Sequence, residues 1–185
     1  EKDALDTSDF LSRASRPYYG WHDSLASLAE LHAREGPFQA MCGFSQGAVA
    51  LHNLLLEMQA EAEGAHADAG PDSVYAQPAV RALLRSPPAC AIFVCGFPSA
   101  AALTAAPASG VSTGGPAAEE ARKLRIPSLH VVSPQDGVVP YDMHVRLAEC
   151  FDAPVLLTSD RGHTMPQRAG EMAAIAEFIR KHTAA

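Results

Sequence analysis

Three side chains in this sequence have the types and the chain order that nucleophilic attack with proton transfer requires. Gly43-Phe44-Ser45-Gln46-Gly47 sets Ser45 between two glycines, directly after the apolar run Phe38-Gln39-Ala40-Met41-Cys42. A serine on a tight strand-to-helix turn projects its hydroxyl above a sheet edge, and side chains at Gly43 and Gly47 are expected to collide with the strand and helix beside them. A serine hydroxyl is a poor nucleophile near neutral pH and needs a base within hydrogen-bond reach. Asp136, in Ser-Pro-Gln-Asp-Gly-Val-Val-Pro, and His163, in Arg-Gly-His-Thr-Met-Pro, follow in the order serine, acid, histidine. In that arrangement His163 takes the hydroxyl proton and Asp136 holds the imidazole tautomer. The backbone N–H of Gln46 and the positive end of the helix that follows Ser45 would receive an oxyanion.

Other candidates are weaker. Asp160 and Asp142 are rival acids; Asp160 lies only three residues before His163 and ranks second. His130 sits inside the apolar Ser-Leu-His-Val-Val run and reads as a core or edge residue. His22, His32, His52, His144 and His182 fall on helical stretches or their ends, and His66 falls in a polar loop.

The elements that must position these groups alternate between short apolar runs and helical periods, which predicts an α/β layer architecture. His22 to Pro37 reads as a helix with Leu25, Leu28, Leu31 and His32 on one stripe, capped by Asp23 or Ser24 and ended by Gly36-Pro37. A strand over 38–44 follows, then a helix from Gln46 with Val49, Leu54, Leu55 and Met58 toward a sheet. Residues 63–79 read as a loop. Residues 89–97 and 126–134 read as buried strands, and 98–117 as an Ala/Ser/Gly/Pro-rich mobile connection or flap. A helix over 139–151 has Pro140 at its first turn, the last strand spans 153–159, and the terminal helix carries Met172, Ile175, Ala176, Phe178 and Ile179 as its apolar stripe. Four strands separated by helices predict parallel pairing. Ser45, Asp136 and His163 then leave the same sheet edge, where such sheets place their ligand sites. Pocket walls are expected from the 63–79 and 98–117 loops.

The chain has 185 residues, 48% hydrophobic and 19% charged, which suits a single globular domain over 1–185. A net charge of -7 argues against nucleic acid and anionic membranes as partners. No apolar run is long enough for a membrane span. Cys42, Cys90, Cys95 and Cys150 have no metal-type spacing; Cys42 and Cys95, inside strand-like runs, read as reduced core thiols. With no signal peptide, this points to a reducing compartment, the cytoplasm. No cofactor and no metal are expected.

The segments around Ser45, Cys95-Gly96-Phe97, Ile126 to Pro140 and Arg161 to Pro166 together resemble the eukaryotic family of serine hydrolases (FSH) within the α/β-hydrolase superfamily. The likeness runs from about Trp21 to the C-terminus. It implies an α/β-hydrolase-type, mostly parallel sheet with helices on both faces. It also implies an esterase or thioesterase with Ser45 as nucleophile, Asp136 as acid and His163 as base, acting on a small-molecule ester or thioester through an acyl-enzyme. Carboxylesterases of the acyl-protein thioesterase type share Gly-Phe-Ser-Gln-Gly and are a near neighbour. The family's opening strand ends in a His-Gly segment that supplies a second oxyanion donor, and this sequence has no His-Gly dipeptide. Two expectations follow. Either the N-terminal strands lie outside this sequence, which an otherwise exposed apolar sheet edge favours, or this is a non-catalytic binding module with an incomplete oxyanion hole. A peptidase-like or lyase-like use of the same residues is neither favoured nor excluded.

Overall fold

The computed structural model describes residues 10, 12, 14, 19–105 and 123–184, with the side chains of 101, 104 and 105 excepted. Four strands, β1 (Ala40–Phe44), β2 (Cys90–Val94), β3 (Ser128–Val132) and β4 (Val155–Thr158), lie in the order β1-β2-β3-β4. Every pairing is parallel, as expected. The register sets Phe44, Val94, Val131 and Leu157 in one row, so the carboxyl ends of all four strands form a common rim.

Alternation along the central strands assigns the two faces. Ala91 and Phe93 of β2 pack on helices α1 (Trp21–Glu35), α2 (Gln46–Ala62) and α3 (Pro78–Leu84), together with Leu147 of α5 (Tyr141–Glu149). Cys90, Ile92 and Val94 point the other way, with Leu129 and Val131 of β3, onto Phe178, Ile175 and Ile179 of α6 (Ala169–Thr183). A short α4 (Ala100–Ala105) follows β2. Helices thus cover both faces of a parallel sheet, the α/β-hydrolase-type layering. Burying a side chain such as Phe93 contributes about 1.5–3 kcal/mol and makes the platform stiff.

Several expectations are corrected. The apolar runs of β2 and β3 are wholly buried, whereas β1 and β4 are the margins of the sheet and largely uncovered. Cys42 is therefore exposed rather than a core thiol; among the described residues no strand pairs with β1 on its other side. Helix α1 starts at Trp21 behind Gly20, whose left-handed φ of 75° makes the turn, and neither Asp23 nor Ser24 caps it. Leu31 and Met172 point to solvent, and Ala29 takes the place of Leu31 on the buried stripe. The segment 63–79 holds a short 3-10 helix at Val74–Ala76, and α3 follows where no helix was expected. Most of 98–117, and most of residues 1–20, lie outside the described residues.

Candidate active site

Ser45 is the hinge between β1 and α2. Its N–H donates to Val94 O at 2.9 Å, extending the β1–β2 ladder, while its carbonyl accepts from Ala48 N at 3.0 Å and opens α2. To satisfy both, Ser45 adopts φ 53° and ψ -119°, a conformation a non-glycine residue holds at a cost of about 1–3 kcal/mol. Gly43 makes the turn possible, because a Cβ there would come within 2.6 Å of Ala48 Cα. Gly47 does not share that constraint: a Cβ there meets nothing within 4 Å among the described residues. The expected collision holds at the first glycine alone.

Asp136 sits in the turn after β3, its N–H bonded to Ser133 O at 3.2 Å. Its carboxylate is fully enclosed. Oδ1 accepts from Val138 N at 2.8 Å and Val139 N at 2.9 Å. Oδ2 lies 2.8 Å from His163 Nδ1 and 3.3 Å from His144 Nε2, the latter contact short of an aligned hydrogen bond. Burial alone would raise the pKa of this group. The donors on His144, Val139, His163 and Val138 outweigh it and hold the carboxyl well below the usual carboxylate range.

His163 follows Gly162, whose φ of 69° turns the loop after β4 and whose N–H donates to Ser133 Oγ at 3.0 Å. The imidazole Nε2 lies 2.9 Å from Ser45 Oγ. A carboxylate only accepts, so Nδ1 carries the proton shared with Asp136, and Nε2 presents its lone pair to the hydroxyl. Phe44 packs its ring 4.9 Å from the imidazole at a tilt of 40°. The three groups arise from three different strand ends at one rim and form one line of proton contacts.

The remaining candidates do not join this line. Asp160 is exposed and pairs with Arg168 at 2.6 Å, and Asp142 lies in the first turn of α5. His130 is buried between Phe93 and Phe151 with Nε2 3.0 Å from Ser128 Oγ, and desolvation lowers its pKa to about 3. His52, on α2, accepts from Ser99 N at 3.0 Å, and desolvation lowers it to about 4. His66 stacks on Tyr75 at 4.0 Å, beside Glu57. Residues overlooked in the sequence are Phe44 and Ser133, and His144 was ranked only as a weaker histidine on a helix; the position of Phe44 inside the serine motif offered a signal.

Cys95 Sγ, Asp136 and His163 lie close enough to one another to hold a cation. Burial, then the charge of Asp136, pushes the Cys95 thiol up to about 12, so it is protonated near neutral pH. The other two donors already share a proton. Chemically the cluster is a hydrogen-bonded relay.

An apolar cavity of about 550 Å³ opens beside Ser45 and Gln46, walled by Trp21, Val49, Phe97, Val138 and Val139, with Phe10 at its margin. Segment 63–79, expected as a wall, contributes nothing to it; that segment packs on α2 through Tyr75 and Glu57.

A parallel sheet with a strand–serine–helix turn at its carboxyl rim, facing a loop-borne imidazole, defines the α/β-hydrolase class of folds. Within that class the chain belongs to the serine hydrolase (FSH1) family, whose pattern matches residues 5–175. It is 28% identical to an esterase of Caenorhabditis elegans over 178 residues, covering 95% of this chain and 66% of the relative. It is 29% identical to Esterase OVCA2 of Bos taurus over 161 residues, 86% of this chain and 57% of that protein. A 59-residue stretch is 37% identical to an esterase of Aedes aegypti, 32% of this chain and 22% of the relative. The chain thus spans less than two thirds of the length of each of these relatives.

Proposed function

We propose that this chain carries the catalytic centre of an esterase or thioesterase, with Ser45 as nucleophile, His163 as general base and acid, and Asp136 as the group that orients and charges the imidazole. The observation that carries this reading is the continuous contact line from Ser45 Oγ to His163 at 2.9 Å and on to Asp136 at 2.8 Å. Ser45 Oγ attacks the carbonyl carbon while His163 Nε2 takes the hydroxyl proton. The oxyanion forms near the start of α2, where the Gln46 N–H, in the first turn, would receive it. Collapse breaks the bond to the alcohol or thiol, which leaves with the proton from Nε2. Water, deprotonated in turn by Nε2, attacks the acyl-serine carbonyl; the bond to Ser45 Oγ breaks, Nε2 returns the proton to that oxygen, and a carboxylic acid is released. Asp136 stays ionised throughout. The apolar walls beside Ser45 suit the hydrocarbon part of a small-molecule substrate, and buried free thiols at Cys90 and Cys95 suit a reducing compartment such as the cytoplasm.

A fluorophosphonate probe tests the assignment by intact mass. One adduct is expected on the wild type, mapped to Ser45, and none on Ser45→Ala. Labelling that persists in Ser45→Ala defeats it, and a folded wild type that takes no adduct supports a non-catalytic binding module instead. A series of p-nitrophenyl esters of rising acyl length then defines how much chain the cavity accepts.

A further inference from the structure

His144 is the one buried imidazole, among the described residues, that touches the line of proton contacts without belonging to it. It lies on α5, is 1% exposed, and does not line the cavity beside Ser45. Its Nδ1 accepts the backbone N–H of Ser133 at 3.4 Å. A ring nitrogen that accepts carries no proton, so the neutral ring bears its hydrogen on Nε2. That Nε2 is sealed from solvent, has no aligned hydrogen-bond partner, and stands 3.3 Å from Asp136 Oδ2. The same Ser133 bonds through its hydroxyl to the N–H of Gly162, next to His163. One residue at the end of β3 therefore fixes both imidazoles that face the carboxylate.

We propose that His144 is a positioning residue for Asp136: its Nε2–H, 3.3 Å from Oδ2, attracts that oxygen electrostatically and takes up part of the carboxylate's charge. The inference rests on the hydrolase reading above. Apart from His144, the titratable groups facing Asp136 among the described residues are His163 from the loop after β4 and Cys95 from the end of β2, with the Tyr141 ring 6.3 Å from His144 on α5 itself. Without the Nε2–H, the carboxylate loses a lateral support and its full charge falls on His163. The imidazolium is then favoured, and the acidic limb of the rate profile moves to higher pH. Substrate binding is untouched, since His144 does not reach the cavity.

The test uses His144→Phe, which keeps a ring and drops the donor, and His144→Gln, whose amide nitrogen can stand where Nε2 stood. For His144→Phe we expect kcat lower by about tenfold, against the ~10²–10⁴ carried by a general base itself, with KM unchanged. The acidic limb of kcat/KM should rise by about half a pH unit. His144→Gln should recover both. A His144→Phe profile that superimposes on the wild type, or a folded His144→Gln that recovers neither quantity, overturns the proposal. One arm needs no variant: ring ¹⁵N shifts of wild-type His144 at pH 7.5 should report the Nε2–H tautomer, and an Nδ1–H tautomer overturns the contact outright. A wild type that fails to label with fluorophosphonate sinks the hydrolase reading instead, while the tautomer still judges the His144 contact by itself.

Discussion

The carboxyl ends of β1 and β3 solve opposite problems. At β1, an outermost strand among the described residues, the main chain of Ser45 is bonded on both sides and its φ of 53° is unfavourable for any side chain. At β3, an interior strand, Asp136 is enclosed, relaxed in backbone and surrounded by donors on both oxygens. The proposed nucleophile is thus presented at the expense of stability, and the proposed acid is built into what keeps the domain folded. Function and stability are separable at the first rim and joined at the second.

Rates should show the largest contrast. Ser45→Ala should remove about 10⁶-fold in kcat, as loss of a covalent nucleophile does. Asp136→Asn, which leaves the donors in place but permits the wrong imidazole tautomer, should remove about 10⁴-fold. Ester hydrolysis by the two variants checks this. Equal losses would mean that Asp136 acts inseparably from the serine, and the two rims would no longer be distinct in function.

Stability should invert the order. Asp136→Ala leaves His163, His144 and two backbone N–H groups facing an empty site, and should cost about 3 kcal/mol in urea unfolding. The sign with pH follows from a carboxyl held below its unfolded value of 3.8. Its contribution is complete above that value and is lost as pH falls through the folded one. The gap between wild type and Asp136→Ala should therefore be constant from pH 5 to 7 and narrow toward pH 3. A gap that widens on acidification would contradict the ionised, donor-held carboxylate.

These two rims were unequally legible beforehand. The four strands, their parallel order and the shared edge followed from apolar runs broken by helical periods, and Ser45, Asp136 and His163 each stood just past a strand end. What escaped was set by neighbours distant in sequence. Cys42 and Cys95 occupy similar apolar runs, yet only a strand on each side makes such a run interior. His144 faces Asp136 because a helix after a proline turn folds back over β3, a contact that periodicity cannot foretell. Helix α3 was missed although Pro78 at its first position and Val80, Leu83 and Leu84 on one face were readable signals.

A smaller effect isolates the strain at the β1 rim. Ser45→Gly should abolish hydrolysis while raising stability by about 1 kcal/mol, since glycine accepts this backbone without steric cost. For a chain of this size the gain is about 2–4 °C in Tm. A Ser45→Gly protein that melts below Ser45→Ala would show that the left-handed turn is not where the domain stores strain.

The smallest contrast lies in the thiols of the two regions. Cys42, on the uncovered strand β1, is exposed, whereas Cys95 lies 1% exposed beside the enclosed carboxylate. Burial, with the charge of Asp136 added to it, raises the Cys95 thiol to about 12. Iodoacetamide at pH 8.5 should therefore alkylate Cys42 in the native protein and reach Cys95 only after denaturant is added, as peptide mass mapping would register. Thiolate access controls this reaction, so modification of Cys95 at the native rate of Cys42 would require the site beneath Asp136 to open locally. The interior rim would then be as yielding as the edge, and the donors around the carboxylate would be closing a mobile turn rather than anchoring a fixed one.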